Sequence, residues 1–128
     1  MPHILFAHSD QKTSRVYGGY LTKHFSLDSA FDGLTALRKF KQSQPNLIVS
    51  AYDLPILSGT GLLKFVRTKS NYPAIPFLFF AGSGDPALAL SLGANDWLDL
   101  RKTTPDLLIE KIYYHLSRTT FSEELYKR

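Results

Sequence analysis

The chain has 128 residues, 44% of them hydrophobic and 20% charged, enough apolar sequence for one packed domain and too much for a disordered chain. It contains no cysteine, which excludes disulfides, thiol catalysis and cysteine-based zinc or iron–sulfur sites. Net charge is +4, from 15 Lys+Arg against 11 Asp+Glu. The bases are spread along the chain, gathering only at Arg38, Lys39 and Lys41 and at Lys64, Arg67 and Lys69. A solvated helix face is their expected role, and nucleic acid the weaker alternative.

The longest apolar run, Ala74 to Ala81, is interrupted by Pro76 and is far too short for a bilayer. No basic-then-apolar leader precedes the first strand, and Met1-Pro2 reads as a native start. With the lack of cysteine, this gives the expectation of a cytoplasmic protein with no membrane partner.

His3-Ile4-Leu5-Phe6-Ala7 is short, apolar and unbroken, which predicts a strand buried on both faces. It ends in the polar loop His8-Ser9-Asp10. Thr13 or Ser14 is the expected cap of a first helix running to about His24, with Val16, Tyr17, Tyr20 and Leu21 as its apolar stripe. Gly18 and Gly19 weaken that helix by about 1 kcal/mol each relative to alanine. Phe25 to Leu27 is the second strand. Asp32-Gly33 leads into a helix with Leu34, Leu37 and Phe40 on one face, stopped by Gln44-Pro45-Asn46. Leu47-Ile48-Val49 is a third buried strand. A structured loop, Asp53-Leu54-Pro55 to Ser58-Gly59, precedes a helix carrying Leu62, Leu63, Phe65 and Val66 and ending near Ser70-Asn71. Ile75 to Phe80 is the fourth strand, and Gly82-Ser83-Gly84 a mobile loop. Asp85-Pro86 caps and starts a short helix that ends at Gly93. Trp97 to Leu100 is the fifth strand. Thr104-Pro105 repeats the cap-plus-proline signal before a last helix with Leu108, Ile109, Ile112, Tyr113 and Leu116.

Five strand–helix units in alternation predict an α/β domain of three layers: a parallel sheet with helices on both faces. The expected arrangement is the flavodoxin-like strand order 2-1-3-4-5. Its crevice lies beyond the carboxyl ends of the first and third strands. That places His8, Ser9 and Asp10 on one side and Ala51, Tyr52 and Asp53 on the other.

Four phrases carry a family signature in order and spacing. They are Ala30-Phe31-Asp32-Gly33-Leu34-Thr35-Ala36-Leu37, Asn46 to Val49 followed by Leu54-Pro55-Ile56-Leu57-Ser58-Gly59, Ile75-Pro76-Phe77-Leu78, and Gly93-Ala94-Asn95-Asp96-Trp97-Leu98. Over residues 3 to about 117 the chain resembles the CheY-like receiver domain of two-component response regulators. The resemblance implies a receiver-like domain over 1–118, with 119–128 as a C-terminal tail or helix extension.

In that family an aspartate ending the third strand accepts a phosphoryl group. Two acids after the first strand help to hold Mg²⁺, a Ser or Thr ends the fourth strand, and a Lys ends the fifth. Carried over residue by residue, these positions fall on Ala51, on His8 and Ser9, on Ala81 and on Leu100. All five depart from the pattern, so the resemblance implies the fold without the phosphorylation: a degenerate pseudo-receiver. Asp10 and Asp53 stand nearby as substitute acids, and the alternative for both is a solvated loop residue or a local cap. His8 is either a neutral imidazole hydrogen-bonded at a strand end or a pH-sensitive group in the emptied pocket. His3, His24 and His115 are expected at the surface or at edges.

The function expected from this is a phosphorylation-independent protein-interaction module in signal transduction. Its partner, or a second copy of the chain, would meet the fourth helix, fifth strand and fifth helix. The residues named for that face are Trp97, Arg101, Lys102, Lys111 and Tyr114, with the exposed parts of Ala87 to Leu92, a stretch poor in charge. Trp97 lies where receivers carry an aromatic that rotates on activation, and it is either a half-buried packing residue or a partner anchor. Two alternatives stand beside this reading: a ligand sensor using the vacated pocket, and a phosphorelay receiver with Asp53 as displaced acceptor. No nucleophile–base pair, complete phosphate loop or metal cluster is legible. No catalysis, cofactor or metal is therefore expected.

Overall fold

A computed structural model describes the backbone of residues 1–126 and the side chains of residues 1–118. The elements alternate throughout: β1 His3–Ala7, α1 Gln11–Leu21, β2 Ser26–Ala30, α2 Gly33–Ser43, β3 Leu47–Ser50, α3 Gly59–Lys69, β4 Phe77–Ala81, α4 Pro86–Ser91, β5 Asp96–Asp99 and α5 Pro105–Tyr126. Part of the segment 119–128, expected as a tail or helix extension, lies outside the described residues. No helix among the described residues is long and apolar enough to cross a membrane.

The five strands form one sheet in the order β2-β1-β3-β4-β5, every pairing parallel. Successive side chains of a strand point to opposite faces, and the unbroken apolar strands therefore feed two cores. Leu5, Ile48, Phe77 and Phe79 pack with Phe40, Leu62, Leu63, Val66 and Ala89 of α2, α3 and α4. Ile4, Phe6, Val49, Leu78 and Phe80 pack with Leu21, Leu108, Ile109 and Ile112 of α1 and α5.

Each helix starts where a short polar side chain accepts the amide three residues on, a contact typically worth about 1 kcal/mol. The caps are Asp10 for Thr13, Asp32 for Thr35, Ser58 for Gly61, Asp85 for Leu88 and Thr104 for Leu107. The first corrects the sequence reading. Thr13 and Ser14 lie inside α1 because Asp10 takes the cap, and the helix ends at Leu21 rather than near His24. Its buried face is Ser14, Gly18 and Leu21, while Val16 and Tyr20 are exposed. Positions 14, 18 and 21 recur at the helical period, which turns positions 16 and 20 to the outer side. β2 starts one residue late because the Phe25 amide still bonds to the Leu21 carbonyl at the end of α1.

Candidate functional site

The carboxyl ends of β1, β3, β4 and β5 meet at one edge. Parallel pairing holds their ends in register: the His8 amide donates to the Ala30 carbonyl at 2.9 Å, the Ala51 amide to Ala7 at 2.8 Å and the Leu100 amide to Ala81 at 3.0 Å. His8, Ala51, Ala81 and Leu100 thus stand at the carboxyl-end edge of the doubly wound sheet. Ala51 and Ala81 are each 5% exposed. Leu100 packs inward against the α1–α5 core. The crevice end is therefore walled largely by methyl groups.

His8 is 6% exposed. It stands edge-on to Phe6 at 6.1 Å and to Phe80 at 6.0 Å between ring centroids. Its Nδ1 accepts the Asp10 amide at 3.3 Å, which assigns the ring proton to Nε2. That Nε2 is buried and makes no well-formed hydrogen bond among the described residues. Burial pushes the His8 pKa below its ordinary value, against weaker opposing pulls from the Asp10 carboxylate and the Phe80 carbonyl.

The candidate substitute acids are already engaged. Asp10 accepts both the amide and the hydroxyl of Thr13, and these bonds, hydroxyl first, hold its carboxyl below the usual range. Asp53 is exposed and accepts the Ser83 hydroxyl at 3.3 Å, lacing the β3–α3 loop to the β4–α4 loop. Ser9 is exposed. Among the described residues, no three His, Asp or Glu side chains gather in a metal-holding group.

The residues named for a partner face lie on β5, on the turn after it and on α5. Arg101 and Lys102 are exposed. The Arg101 amide bonds to the Asp99 carboxylate at 3.0 Å, and this bond leads in holding that carboxyl below its usual range. Lys111 is half-buried. Tyr114 is exposed, with the Arg118 guanidinium 5.6 Å from its ring centre. On α4, only Ala89 is buried, and Leu88 and Leu90 stand exposed. His115 is a correction: it is 5% exposed rather than a surface residue, with Nε2 2.8 Å from the Asp96 carboxylate.

Trp97 is half-buried. Its ring lies 5.6 Å from Tyr52 and 5.5 Å from Phe79 between centroids. Gly84, at φ +137°, fits against this cluster: a Cβ there would fall 2.6 Å from the Trp97 Cη2 and 2.6 Å from the Tyr52 ring. The Gly82–Gly84 loop is thus packed down at its last residue. Gly84→Ala is expected to cost about 2 kcal/mol, since both the φ and the space favour glycine. It should also shift Trp97 emission as the ring is displaced; a mutant with wild-type emission and stability would show that the ring does not lean on Gly84.

The sequence places Tyr52 at the crevice beside Asp53 but gives no sign that its ring packs on Trp97. It is also silent on the contacts of Tyr17, whose hydroxyl donates to the Thr103 carbonyl at 2.7 Å while its ring meets Phe80 at 4.8 Å. An aromatic on an amphipathic helix gives no signal of a polar bond across the fold.

No protein-family model matches the chain. The chain is 34% identical over 95 residues to the probable chemotaxis protein CheY of Rhizobium etli, covering 70% of this chain and 74% of that one. It is 36% identical over 95 residues to the uncharacterized transcriptional regulatory protein YcbL of Bacillus subtilis, covering 73% of this chain and 42% of that protein. The chain thus spans less than half the length of this second relative. The CheY-like receiver domain protein of Methanospirillum hungatei has a similar structure, with a TM-score of 0.87 at 21% identity over 95% of this chain and 98% of that one. So does the receiver domain of the sensor histidine kinase PA1611 of Pseudomonas aeruginosa, determined with a magnesium ion in its active-site cleft. There the TM-score is 0.82 at 20% identity, over 91% of this chain and 98% of that one.

Proposed function

The chain belongs to the response regulator receiver family, and we propose that it acts as a pseudo-receiver: a non-enzymatic protein-interaction module that works without phosphorylation. One observation carries this reading. The strand ends at the crevice present His8, Ala51, Ala81 and Leu100, none of which offers the carboxylate, hydroxyl or ammonium that phosphoryl transfer uses.

Magnesium is the cation this fold family implies, and it demands oxygen ligands in a near-octahedral shell. The crevice offers a buried imidazole nitrogen and two methyl groups. The nearby carboxylates of Asp10 and Asp53 are bonded to Thr13 and Ser83. This donor set does not fit the ion, and no step is routed through it. The same contacts favour the pseudo-receiver over a displaced acceptor at Asp53. The burial of both alanines and the inward packing of Leu100 count against a ligand in the old pocket.

Signalling would then run through fixed contacts. Trp97 is held between Tyr52, Phe79 and Gly84, and no hydroxyl at position 81 couples it to a phosphoryl group. A protein partner is expected on the face made by Leu88 and Leu90 of α4, by β5 with its following turn, and by Tyr114 of α5. Aromatic and arginine side chains beside exposed apolar ones are the usual material of interface hot spots.

The test is incubation with Mg²⁺ and acetyl phosphate, followed by intact mass and Trp97 emission, with a berylliofluoride arm. Neither the mass nor the emission should change. A gain of one phosphoryl group, or a Mg²⁺-dependent change of emission, would overturn the reading. On the partner side, Leu90→Ala and Tyr114→Ala should weaken a captured complex without altering the fold; unchanged binding would remove this face from the proposal.

A further inference from the structure

A groove of about 380 Å³ opens between the carboxyl-terminal ends of α2 and α3. It lies at the amino-terminal edge of the sheet, on the far side of the domain from His8, Ala51 and Ala81. Its size falls in the range of small-molecule sites. Phe40, Phe65 and Tyr72 supply aromatic surface, Lys41 and Lys69 supply positive charge, and Gln44 supplies an amide. The lining is therefore built of planar apolar surfaces with cations beside them.

The charge is one-sided. Between Gly33 and Gly84 the chain carries Arg38, Lys39, Lys41, Lys64, Arg67 and Lys69, and its sole acid is Asp53. Asp53 lies in the loop at the opposite edge of the sheet. Arg67 is taken up by backbone carbonyls and Asn95, and Lys39 by the Ser29 carbonyl. Lys41 and Lys69 have no carboxylate partner among the described residues. Complementing the helix dipoles is the ordinary role for lysines in a last turn, but each helix end carries only about half an elementary charge. Two full charges leave the groove net positive.

The Lys41 ammonium rests over the Phe65 ring, 4.9 Å from its centre. A carboxylate or phosphate is a stronger partner for an ammonium than a ring face. Drawing Lys41 away would free the Phe65 face for a second planar group. Gln44 adds to this. It holds the left-handed C-cap of α2 at φ +49°, where glycine is least strained, yet its amide side chain lines the groove.

We propose that the groove binds a small anion carried on a planar aromatic body, with Lys41 and Lys69 holding the anion and Phe65 and Tyr72 the ring. A nucleoside monophosphate and an aromatic carboxylate share this chemistry. The site would make the domain responsive to a metabolite at a place independent of the crevice and of the α4–β5–α5 face.

Titrations of the ¹⁵N-labelled full chain with adenosine monophosphate and with indole-3-acetate, followed by amide shifts, test the proposal. At least one anion should move the amides of Lys41, Gln44, Phe65 and Tyr72 saturably and leave those of His8 and Ser83 in place. Response to the nucleotide alone assigns the phosphate source, and response to indole-3-acetate alone assigns the carboxylate. Inorganic phosphate and adenosine should each bind about tenfold more weakly or worse. The Lys41→Ala, Lys69→Ala double variant alters two exposed side chains, so it should keep the fold and lose about tenfold in affinity. Silence at the groove with both anions, phosphate binding as tightly as either, or full affinity in the double variant would overturn the proposal. So would a single-stranded oligonucleotide binding roughly a hundredfold more tightly than the nucleotide with a steep salt dependence, since the face would then be a nucleic-acid surface.

Discussion

Arg67→Ala is expected to lower the midpoint of thermal unfolding by roughly 10 °C. The Arg67 Nε and Nη2 both donate to the Gly93 carbonyl, at 3.0 and 2.9 Å. Nη1 donates to the carbonyls of Pro73 at 2.8 Å and Ile75 at 2.7 Å, and Nη2 also reaches the Asn95 Oδ1 at 2.9 Å. One side chain therefore ties the end of α3 to both the α3–β4 and the α4–β5 loops. Asn95 extends the tie, because its Oδ1 also accepts the Phe77 amide at 2.8 Å. No carboxylate among the described residues takes part. Carbonyl dipoles solvate the charge in place of water, and burial pushes the guanidinium below its ordinary value without discharging it.

The stem matters as well. Gly93 sits at φ +107°, and a Cβ there would fall 3.1 Å from the Arg67 Nε, so the side chain lies flat on the glycine. Truncation removes this packing and leaves several carbonyls partly unsatisfied, a loss of about 3 kcal/mol. Arg67→Lys keeps the charge but loses the planar fork, and it should fall between the two. Urea unfolding of the three proteins measures the series. A loss below about 1 kcal/mol for alanine would mean that water replaces the guanidinium at little cost.

The fold was legible in the sequence because both faces of the sheet are covered. Ile4 to Phe6, Leu47 to Val49 and Phe77 to Phe80 are apolar without alternation, which only a doubly buried strand requires. β2 was less legible: as an edge strand it carries Ser26, Asp28 and Ser29, and the buried Phe25 just before it pulled the expected start too early. The crevice could be placed because strand order and strand ends alone bring positions 8, 51, 81 and 100 together. What joins distant segments was not legible. A basic residue on a helix reads as solvated, and nothing local announces that Arg67 meets carbonyls at positions 73, 75 and 93. His115 is a different case. It falls three residues after Ile112 and seven after Leu108, on the buried stripe of α5, so the helical period held a signal that the reading of isolated histidines passed over.

The second large effect concerns His8 and pH. Its folded pKa is depressed, first by burial, so the fold favours the neutral ring. In the unfolded chain the ring titrates near its ordinary value of about 6.5. The contribution to stability is therefore complete above that value and is lost as pH falls below it. The loss is steepest, at about 1.4 kcal/mol per pH unit, while the unfolded chain is protonated and the folded ring is not. Geometry gives the same sign. A proton added at Nδ1 would face the hydrogen of the Asp10 amide, which that nitrogen now accepts, and the pulls of the Asp10 carboxylate and the Phe80 carbonyl offset the burial only in part.

His8→Leu removes the titrating group from a site lined by Phe6 and Phe80. It also removes a buried, unsatisfied nitrogen, and it leaves the amide of the exposed Asp10 able to bond to water. Stability at pH 8 should therefore hold in the variant. As the pH falls below about 6.5 the wild type should lose ground to it, with up to one extra proton taken up on unfolding. Urea unfolding of both proteins across that range isolates His8, because His3, His24 and His115 are common to the pair and cancel in the difference. Parallel curves would show that the ring is protonated in the fold as readily as in the open chain, and the crevice would then hold a cation rather than a neutral imidazole.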